Sequence, residues 1–239
     1  MNKHKKKKIL SEENRFLINS ILNNYQGSAG VLSTAFNMDI DLANMLYQKV
    51  ITRLEEDKKP LAEDSIIDNL VGILGNLYAS NHYKSLGFDV ENEKVIKNKE
   101  TNKNDTKADV YFKDKNGIDN FCEVKAAFEI RSSRKRYIDE NLSKQEMIDL
   151  ELKNRTYEEI GKKLITQAQK LRNDNPGSIV NAVIFKDCIV DEEIINKLKE
   201  LDVNLEVLMQ PISMIKEEAR LIYENFISNY LIASKKESK

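Results

Sequence analysis

The sequence has no tryptophan, only three prolines, two cysteines and two histidines, and no long apolar run. No stretch approaches the roughly 18 apolar residues that a membrane-spanning helix needs, so we expect no membrane association. No apolar run follows the basic start, and we therefore expect no secretory signal and a cytoplasmic location. Cys122 and Cys188 fall in predicted strands without metal-binding spacing, which predicts reduced, buried, structural thiols. A phosphate-cradling GxxxxGK loop is also missing, so we expect no nucleotide cofactor.

Charge is abundant but unevenly distributed. Charged residues make up 32% of the chain and the net charge is −1, yet the first eight residues, MNKHKKKK, include five lysines. This basic tail is either a disordered, solubilising end or an arm that binds phosphate. The pattern of residues 11–58 predicts helices on either side of the break QGSAG. Such helical hairpins mostly serve packing, and the alternative is a DNA-reading helix-turn-helix, which the pattern resembles weakly. Pro60 marks a boundary, so we expect two domains, residues 1–60 for recognition or dimerisation and residues 61–239 as an α/β domain.

The second domain shows alternating helical and strand patterns. The order is a helix, three strands, a helix, a strand, a helix, a strand and a last helix. The predicted helices cover residues 62–86, 157–172, 191–201 and 212–232, and the predicted strands cover 88–97, 107–113, 120–130, 179–189 and 204–209. We expect the first three strands to form an antiparallel meander within a mixed sheet that helices flank.

The stretch FCEVKAAF, residues 121–128, places two opposite charges inside an apolar strand. Glu123 and Lys125 lie two residues apart and so share one face, although burying a charge is costly unless it is paired or liganded. A turn at Asn116-Gly117 would place Asp109 opposite position 124. Two carboxylates and one lysine are then expected to converge on one spot of the sheet.

That combination suits hydrolysis of a phosphodiester by a metal-activated water. Two close carboxylates repel each other unless a cation lies between them, and carboxylate oxygens are ligands that Mg²⁺ prefers. We expect Asp109, Glu123 and the carbonyl of Val124 to bind Mg²⁺, with Mn²⁺ as a substitute, and Lys125 to act on the attacking water. The bare pattern of an acid two residues before a lysine occurs six times in the chain. A cross-strand ion pair on a solvated sheet face is therefore the alternative interpretation.

The motif and the element order together resemble the PD-(D/E)xK nuclease superfamily over roughly residues 62 to 190. The match falls on Ala108-Asp109 and on Glu123-Val124-Lys125. The resemblance implies a restriction-endonuclease-like core, in which Asp109 and Glu123 bind Mg²⁺ and Lys125 assists the water. It also implies a helper side chain on the helix after the motif strand, a place that Gln167 occupies. Many members carry a glutamate on the first helix, where this chain has Asn76, and Glu63 or Asp68 could substitute.

A basic segment, RSSRKRY, follows the motif strand and is predicted either to contact a phosphate backbone or to form a solvated loop. The predicted nucleic-acid contacts are Arg131, Arg134, Lys135 and Arg136. The leading hypothesis is a Mg²⁺-dependent DNA endonuclease of a restriction, mobile-element or phage type, acting on DNA, with a homodimer to cut both strands. The alternative is a catalytically weak or inactive nuclease-fold protein that binds DNA or assembles with partners. A third hypothesis is a helical interaction protein that uses the α/β part as a scaffold.

Overall fold

The computed structural model describes residues 63–96, 106–134 and 143–237, with side chains described from residue 67 to residue 224 within those ranges. The basic tail and the predicted N-terminal helical region lie outside the described residues, so the domain boundary at Pro60 stays a prediction. The chain divides into two compact units, of which Leu74–Ile215 is the larger and contains every strand described below. The other unit includes the described stretches 63–73 and 216–237.

The described residues form four helices and seven strands. The helices are α1 (Glu63–Ser85), α2 (Lys144–Asp174), α3 (Glu192–Glu200) and α4 (Ile212–Glu237). The strands are β1 (Val90–Ile96), β2 (Thr106–Lys113), β3 (Asp119–Val124), β4 (Glu129–Ile130), β5 (Ile179–Phe185), β6 (Ile189–Val190) and β7 (Asn204–Leu208). Among these helices, none combines the length and the apolar character that crossing a bilayer requires.

The main sheet has five strands in the order β1-β2-β3-β5-β7. Strand β2 pairs antiparallel with both β1 and β3, whereas β5 runs parallel to β3 and β7 runs parallel to β5. A parallel neighbour requires a crossover connection, and helix α2 lies in the connection between β3 and β5. The predicted α/β class with a mixed sheet and an antiparallel meander is therefore confirmed.

The hairpin between β2 and β3 differs from the prediction by one residue. Val110 pairs with Cys122, so the register continues to Asp109 opposite Glu123 rather than opposite Val124. The turn is longer than a two-residue Asn-Gly turn, because the Asp114 carboxylate accepts hydrogen bonds from the backbone N–H groups of Asn116 (2.8 Å) and Ile118 (2.9 Å). A one-residue shift moves side chains to the other face of a strand, so this register places the two carboxylates on the same face.

Two predicted strands end earlier than the apolar pattern suggested. The third strand ends at Val124 rather than at Ile130, and residues 129–130 pair instead with β6 in a separate two-stranded sheet. The strand predicted to reach Ile189 ends at Phe185. Cys122 is buried as predicted, but Cys188 follows the early end of β5 and is only partly buried, which corrects the expectation for that thiol.

Helix α2 is almost twice as long as the predicted span of residues 157–172. It begins at Lys144 because Ser143 and Glu146 form a capping box, in which each side chain accepts a hydrogen bond from the other residue's backbone N–H. Its second half packs on the sheet through buried side chains three or four residues apart. The apolar cluster formed there includes Leu164, Ala168 and Leu171 of α2, Phe121 of β3, and Val180, Ala182 and Ile184 of β5.

Helix α1 approaches the other face of the sheet very closely at Gly75. A Cβ atom on Gly75 would lie 2.6 Å from Ala126 Cβ and 3.4 Å from Phe185 Cε2. Phe185 follows Ile184 in β5, so the two side chains point to opposite faces, and Ile184 packs on the α2 side. The part of α1 near Gly75 therefore covers the sheet face opposite to α2, and only glycine allows this separation without a shift.

Candidate active site

Asp109 and Glu123 come together where β2 and β3 stop pairing through their backbones. The backbone register ends at Val110 and Cys122, and beyond it the Asp109 side chain accepts a hydrogen bond from the Val124 N–H through Oδ2 (2.8 Å). The Asp109 carboxylate thus substitutes for the next backbone acceptor. Glu123, directly opposite in the continued register, is only 1% exposed, whereas Asp109 is half-buried.

Helix α1 contributes a neutral side chain to the same carboxylate. Asn76 Nδ2 lies 3.2 Å from Asp109 Oδ1 and donates a hydrogen bond to it. The sequence comparison with the nuclease superfamily placed Asn76 where many members have a glutamate, and the structure does bring this position to Asp109. The alternatives Glu63 and Asp68 stay predictions, because the Glu63 side chain lies outside the described residues and Asp68 belongs to the other compact unit.

Lys125 is held from both its backbone and its side chain. Its backbone N–H donates to the Val183 carbonyl of β5 (2.9 Å), which keeps the residue aligned with the sheet after β3 has ended. Its ammonium group is bonded to Glu123 Oε1 and to Gln167 Oε1 of α2, the latter at 3.1 Å. The structure therefore brings together all four predicted catalytic side chains, Asp109, Glu123, Lys125 and Gln167.

The two carboxylates of Asp109 and Glu123 are opposed by only one positive side chain of this site, that of Lys125. Burial, the larger effect, and the nearby Asp109 carboxylate raise the pKa of Glu123, whereas the Lys125 ammonium opposes the rise, and together they bring the pKa from 4.5 to about 7. A single lysine thus faces two carboxylates, one of them almost fully buried. A further positive charge at this place would favour the ionised form of Glu123 and relieve the repulsion between the two acids.

The chemistry of these side chains fits a divalent cation that prefers oxygen ligands. In the part of the chain that the structure describes, no group of three or more His, Cys, Asp or Glu residues is arranged to hold a metal. The candidate therefore consists of two carboxylates, those of Asp109 and Glu123, together with backbone oxygen and water, a composition that Mg²⁺ commonly accepts. The N–H of Val124 is engaged by Asp109, and its carbonyl as a metal ligand stays a prediction.

The basic segment divides into a buried part and an exposed part. Arg131 is only 4% exposed, its guanidinium donates to Glu129 Oε2 (Nε, 2.7 Å) and to Asn154 Oδ1, and it lies 5.3 Å from the centre of the Tyr157 ring. Arg131 thus anchors the start of the segment inside the protein, and its contact with nucleic acid stays a prediction.

Of the other predicted contacts, only Arg134 lies within the described residues. It is exposed, and its Nε donates to the Glu158 carboxylate of α2 at 2.6 Å. Lys135 and Arg136 lie outside the described residues, so their expected contacts with a phosphate backbone stay predictions.

Sequence reasoning missed two features of this site. The first is the hydrogen bond from the Val124 N–H to Asp109. A sequence pattern cannot indicate it, because almost every residue has a backbone N–H. The second is Asn154, which accepts from Arg131 and is buried on α2 at 5% exposure. An asparagine in an otherwise charged helical stretch was the available signal.

No protein-family model, no curated protein and no solved structure matches the chain. The resemblance to the PD-(D/E)xK nucleases thus rests on the motif and the order of elements.

Proposed function

We propose that this protein is a Mg²⁺-dependent DNA endonuclease with a restriction-endonuclease-like core. The observation that carries the proposal is the convergence of Asp109, Glu123, Lys125 and Gln167 at the ends of β2 and β3. A cross-strand ion pair alone would need neither a second carboxylate nor a glutamine behind the lysine. The near-complete burial of Glu123 also disfavours the solvated ion pair of the alternative interpretation.

The arrangement of elements supports the same class. The superfamily that the motif resembles has a core of a helix, a three-stranded meander, a helix and a further strand. In this chain α1, β1 to β3, α2 and β5 follow in that order, and the motif residues lie on β2 and at the end of β3. The order agrees with the resemblance over roughly residues 62 to 190.

The residues have separate roles in the proposed reaction. Asp109 and Glu123 would hold Mg²⁺, which when bound lowers the pKa of a water and neutralises phosphate charge. Hydrolysis adds the water oxygen to phosphorus, breaks one P–O ester bond and leaves the proton on the departing sugar oxygen. The Lys125 ammonium is positioned to donate hydrogen bonds to the attacking water and to the negative charge that develops on the phosphate oxygens. Gln167 accepts one hydrogen bond from this ammonium and would thereby help to orient it.

The proposed substrate is DNA, contacted through the basic segment. We propose that Arg134, Lys135 and Arg136 make this contact. Of the three, Arg134 lies within the described residues. Contacts of this kind bind the backbone without reading sequence, and they weaken as salt increases. Cutting both strands generally needs two active sites, so we propose a homodimer.

The test is cleavage of nucleic acid by the purified full chain. Supercoiled plasmid, branched DNA and RNA are incubated with Mg²⁺ and with the wild type, Lys125→Ala or Lys163→Ala. Lys163 is an exposed lysine of α2 and serves as the matched control. We expect cleavage by the wild type and Lys163→Ala, and a rate lower by roughly 10² to 10³ for Lys125→Ala, the size typical of losing one electrostatic donor. If none of the three proteins cleaves any of the substrates, the proposed enzyme activity is refuted.

A second candidate is a nuclease-fold protein that binds DNA or assembles with partners but cuts weakly or not at all. The favouring observation is Asn76, because α1 presents an amide rather than a third carboxylate to Asp109. This candidate predicts that Asp109→Asn, which keeps an oxygen acceptor for the Val124 N–H, leaves DNA affinity and biological activity unchanged. A magnesium titration by calorimetry separates the two candidates. If the protein is the proposed endonuclease, the wild type should release or absorb heat on binding Mg²⁺, and the Asp109→Ala/Glu123→Ala double variant should not.

A further inference from the structure

Helix α1 places one polar side chain at the candidate site through an unusually close approach. At Gly75 the helix leaves no room for a Cβ atom, since such an atom would lie 2.6 Å from Ala126 Cβ. The next residue, Asn76, is half-buried, and its amide reaches Asp109 on β2. The contact is therefore a consequence of helix packing rather than of a flexible surface side chain.

The orientation of the Asn76 amide follows from what it faces. An ionised carboxylate only accepts hydrogen bonds, so the amide group towards Asp109 Oδ1 must be the NH₂ group. The second oxygen, Oδ2, accepts from the Val124 N–H. Asp109 thus has one fixed donor on each oxygen, and its carboxylate is held in a single orientation towards Glu123.

We propose that Asn76 is the positioning residue that restricts this site to a single divalent cation. The inference rests on the metal site of the proposed function and adds its stoichiometry. When Asp109 and Glu123 are both ionised, their two negative charges exceed the one positive charge of Lys125 by one. A single divalent cation already turns this excess into one positive charge. A second cation beside Asp109 Oδ1 would meet the positive end of the Asn76 amide dipole instead of an oxygen ligand.

The experiment measures cation binding rather than cleavage. Mn²⁺ is titrated into the full chain by calorimetry, with electron paramagnetic resonance counting free Mn²⁺, for the wild type, Asn76→Asp, Asn76→Ala and Asn81→Asp. Asn76→Asp is nearly isosteric and converts the donor into a third carboxylate. Asn81 is exposed on the same helix, so Asn81→Asp adds an equal charge away from the site. Thermal unfolding with and without Mn²⁺ is recorded for each protein.

The expected result is one Mn²⁺ per wild-type chain and per Asn81→Asp chain. Asn76→Asp should bind a second Mn²⁺, and its unfolding temperature should rise more with Mn²⁺ than that of the wild type. A single Mn²⁺ bound more tightly by Asn76→Asp would reflect the added charge alone and would overturn the restriction. Asn76→Ala should keep one Mn²⁺ with affinity lower by about tenfold, as when a side chain that orients a metal ligand is removed.

Other results overturn the inference in distinguishable ways. Two Mn²⁺ per wild-type chain would contradict the single-cation restriction while leaving the metal site intact. Wild-type affinity and stoichiometry in both Asn76 variants would show that this residue does not position Asp109. No Mn²⁺ binding by the wild type would overturn both the inference and the proposed function. If Asn76→Asp fails to fold without metal, the number of Mn²⁺ ions bound by the wild type and the Mn²⁺ affinity of Asn76→Ala still test the inference.

Discussion

Replacing Glu123 by glutamine should make the protein more stable at alkaline pH in the absence of metal. Burial and the neighbouring Asp109 raise the pKa of Glu123 from 4.5 to about 7 in the folded protein. A carboxyl group with a raised folded-state pKa contributes stability that is fully present below pH 4.5 and is lost as the pH rises through about 7. At roughly 1.4 kcal/mol per pH unit, the loss over this window is about 3 kcal/mol. Glutamine has the same shape and does not titrate, so Glu123→Gln should not show the loss.

The assay is urea unfolding of the wild type and of Glu123→Gln between pH 4 and pH 8.5 in the presence of a chelator. The free energies of unfolding should converge near pH 4 and separate by about 3 kcal/mol in favour of the variant above pH 7. Mg²⁺ should then reverse the order at alkaline pH, because it stabilises only a protein that binds it. Glu200→Gln, an exposed substitution on α3, is the control and should follow the wild type.

Parallel pH profiles for the wild type and Glu123→Gln would refute this reasoning. They would mean that ionised Glu123 is fully compensated inside the folded protein without a cation. The buried Glu123 carboxylate would then give no physical reason to expect a bound metal, even if the protein bound DNA by other means.

Two further predictions concern packing around the site. Gly75→Ala should destabilise the protein by about 1–3 kcal/mol through overpacking and should weaken Mn²⁺ binding, whereas Gly72→Ala, at an exposed position of the same helix, should be neutral or stabilising by up to about 1 kcal/mol. Urea unfolding and calorimetry measure the two effects, and equal behaviour of the two alanine variants would contradict the close approach of α1. Arg131→Met should cost about 1–3 kcal/mol of stability, because it removes a buried charge that bonds to the partly buried Glu129 and to the buried Asn154. Unchanged stability with weaker DNA binding would instead indicate the surface role that the sequence suggested.

The sequence allowed the order and type of the four described helices and of the five strands of the main sheet to be predicted, because their apolar periodicity is strong, but it did not predict the separate sheet of β4 and β6. It also identified the residues that meet at the site, since a charged pair in a buried strand needs an explanation. The hairpin register was wrong by one residue for a local reason. Asn116-Gly117 predicted a two-residue turn, but the carboxylate of Asp114 organises a longer loop that moves its centre. Side-chain to backbone bonds of this kind compete with turn propensity and are hard to weigh from sequence.

The early strand ends and the burial of Arg131 could not be predicted because they depend on tertiary contacts. Residues 125–128 continue the apolar composition of β3, so nothing in the pattern signals that the strand stops at Val124. Arginine in a basic segment is ordinarily exposed, and only the arrival of Glu129, Asn154 and Tyr157 around Arg131 makes burial favourable. The early start of α2 was predictable, since Ser143 and Glu146 have the spacing of a capping box.

The hydrogen bond from the Val124 N–H to Asp109 has a consequence for the history of this protein. Asp109 completes the pairing of β2 with β3 as well as providing a carboxylate, so an acceptor at this position stabilises the fold whether or not any chemistry takes place. A descendant that had lost activity would still be under selection to keep this aspartate. Its presence in a related sequence would therefore say little about function. Loss of Lys125 or Gln167, neither of which completes a backbone pairing through its side chain, would be more informative, because under the proposed function it marks a lineage without cleavage activity.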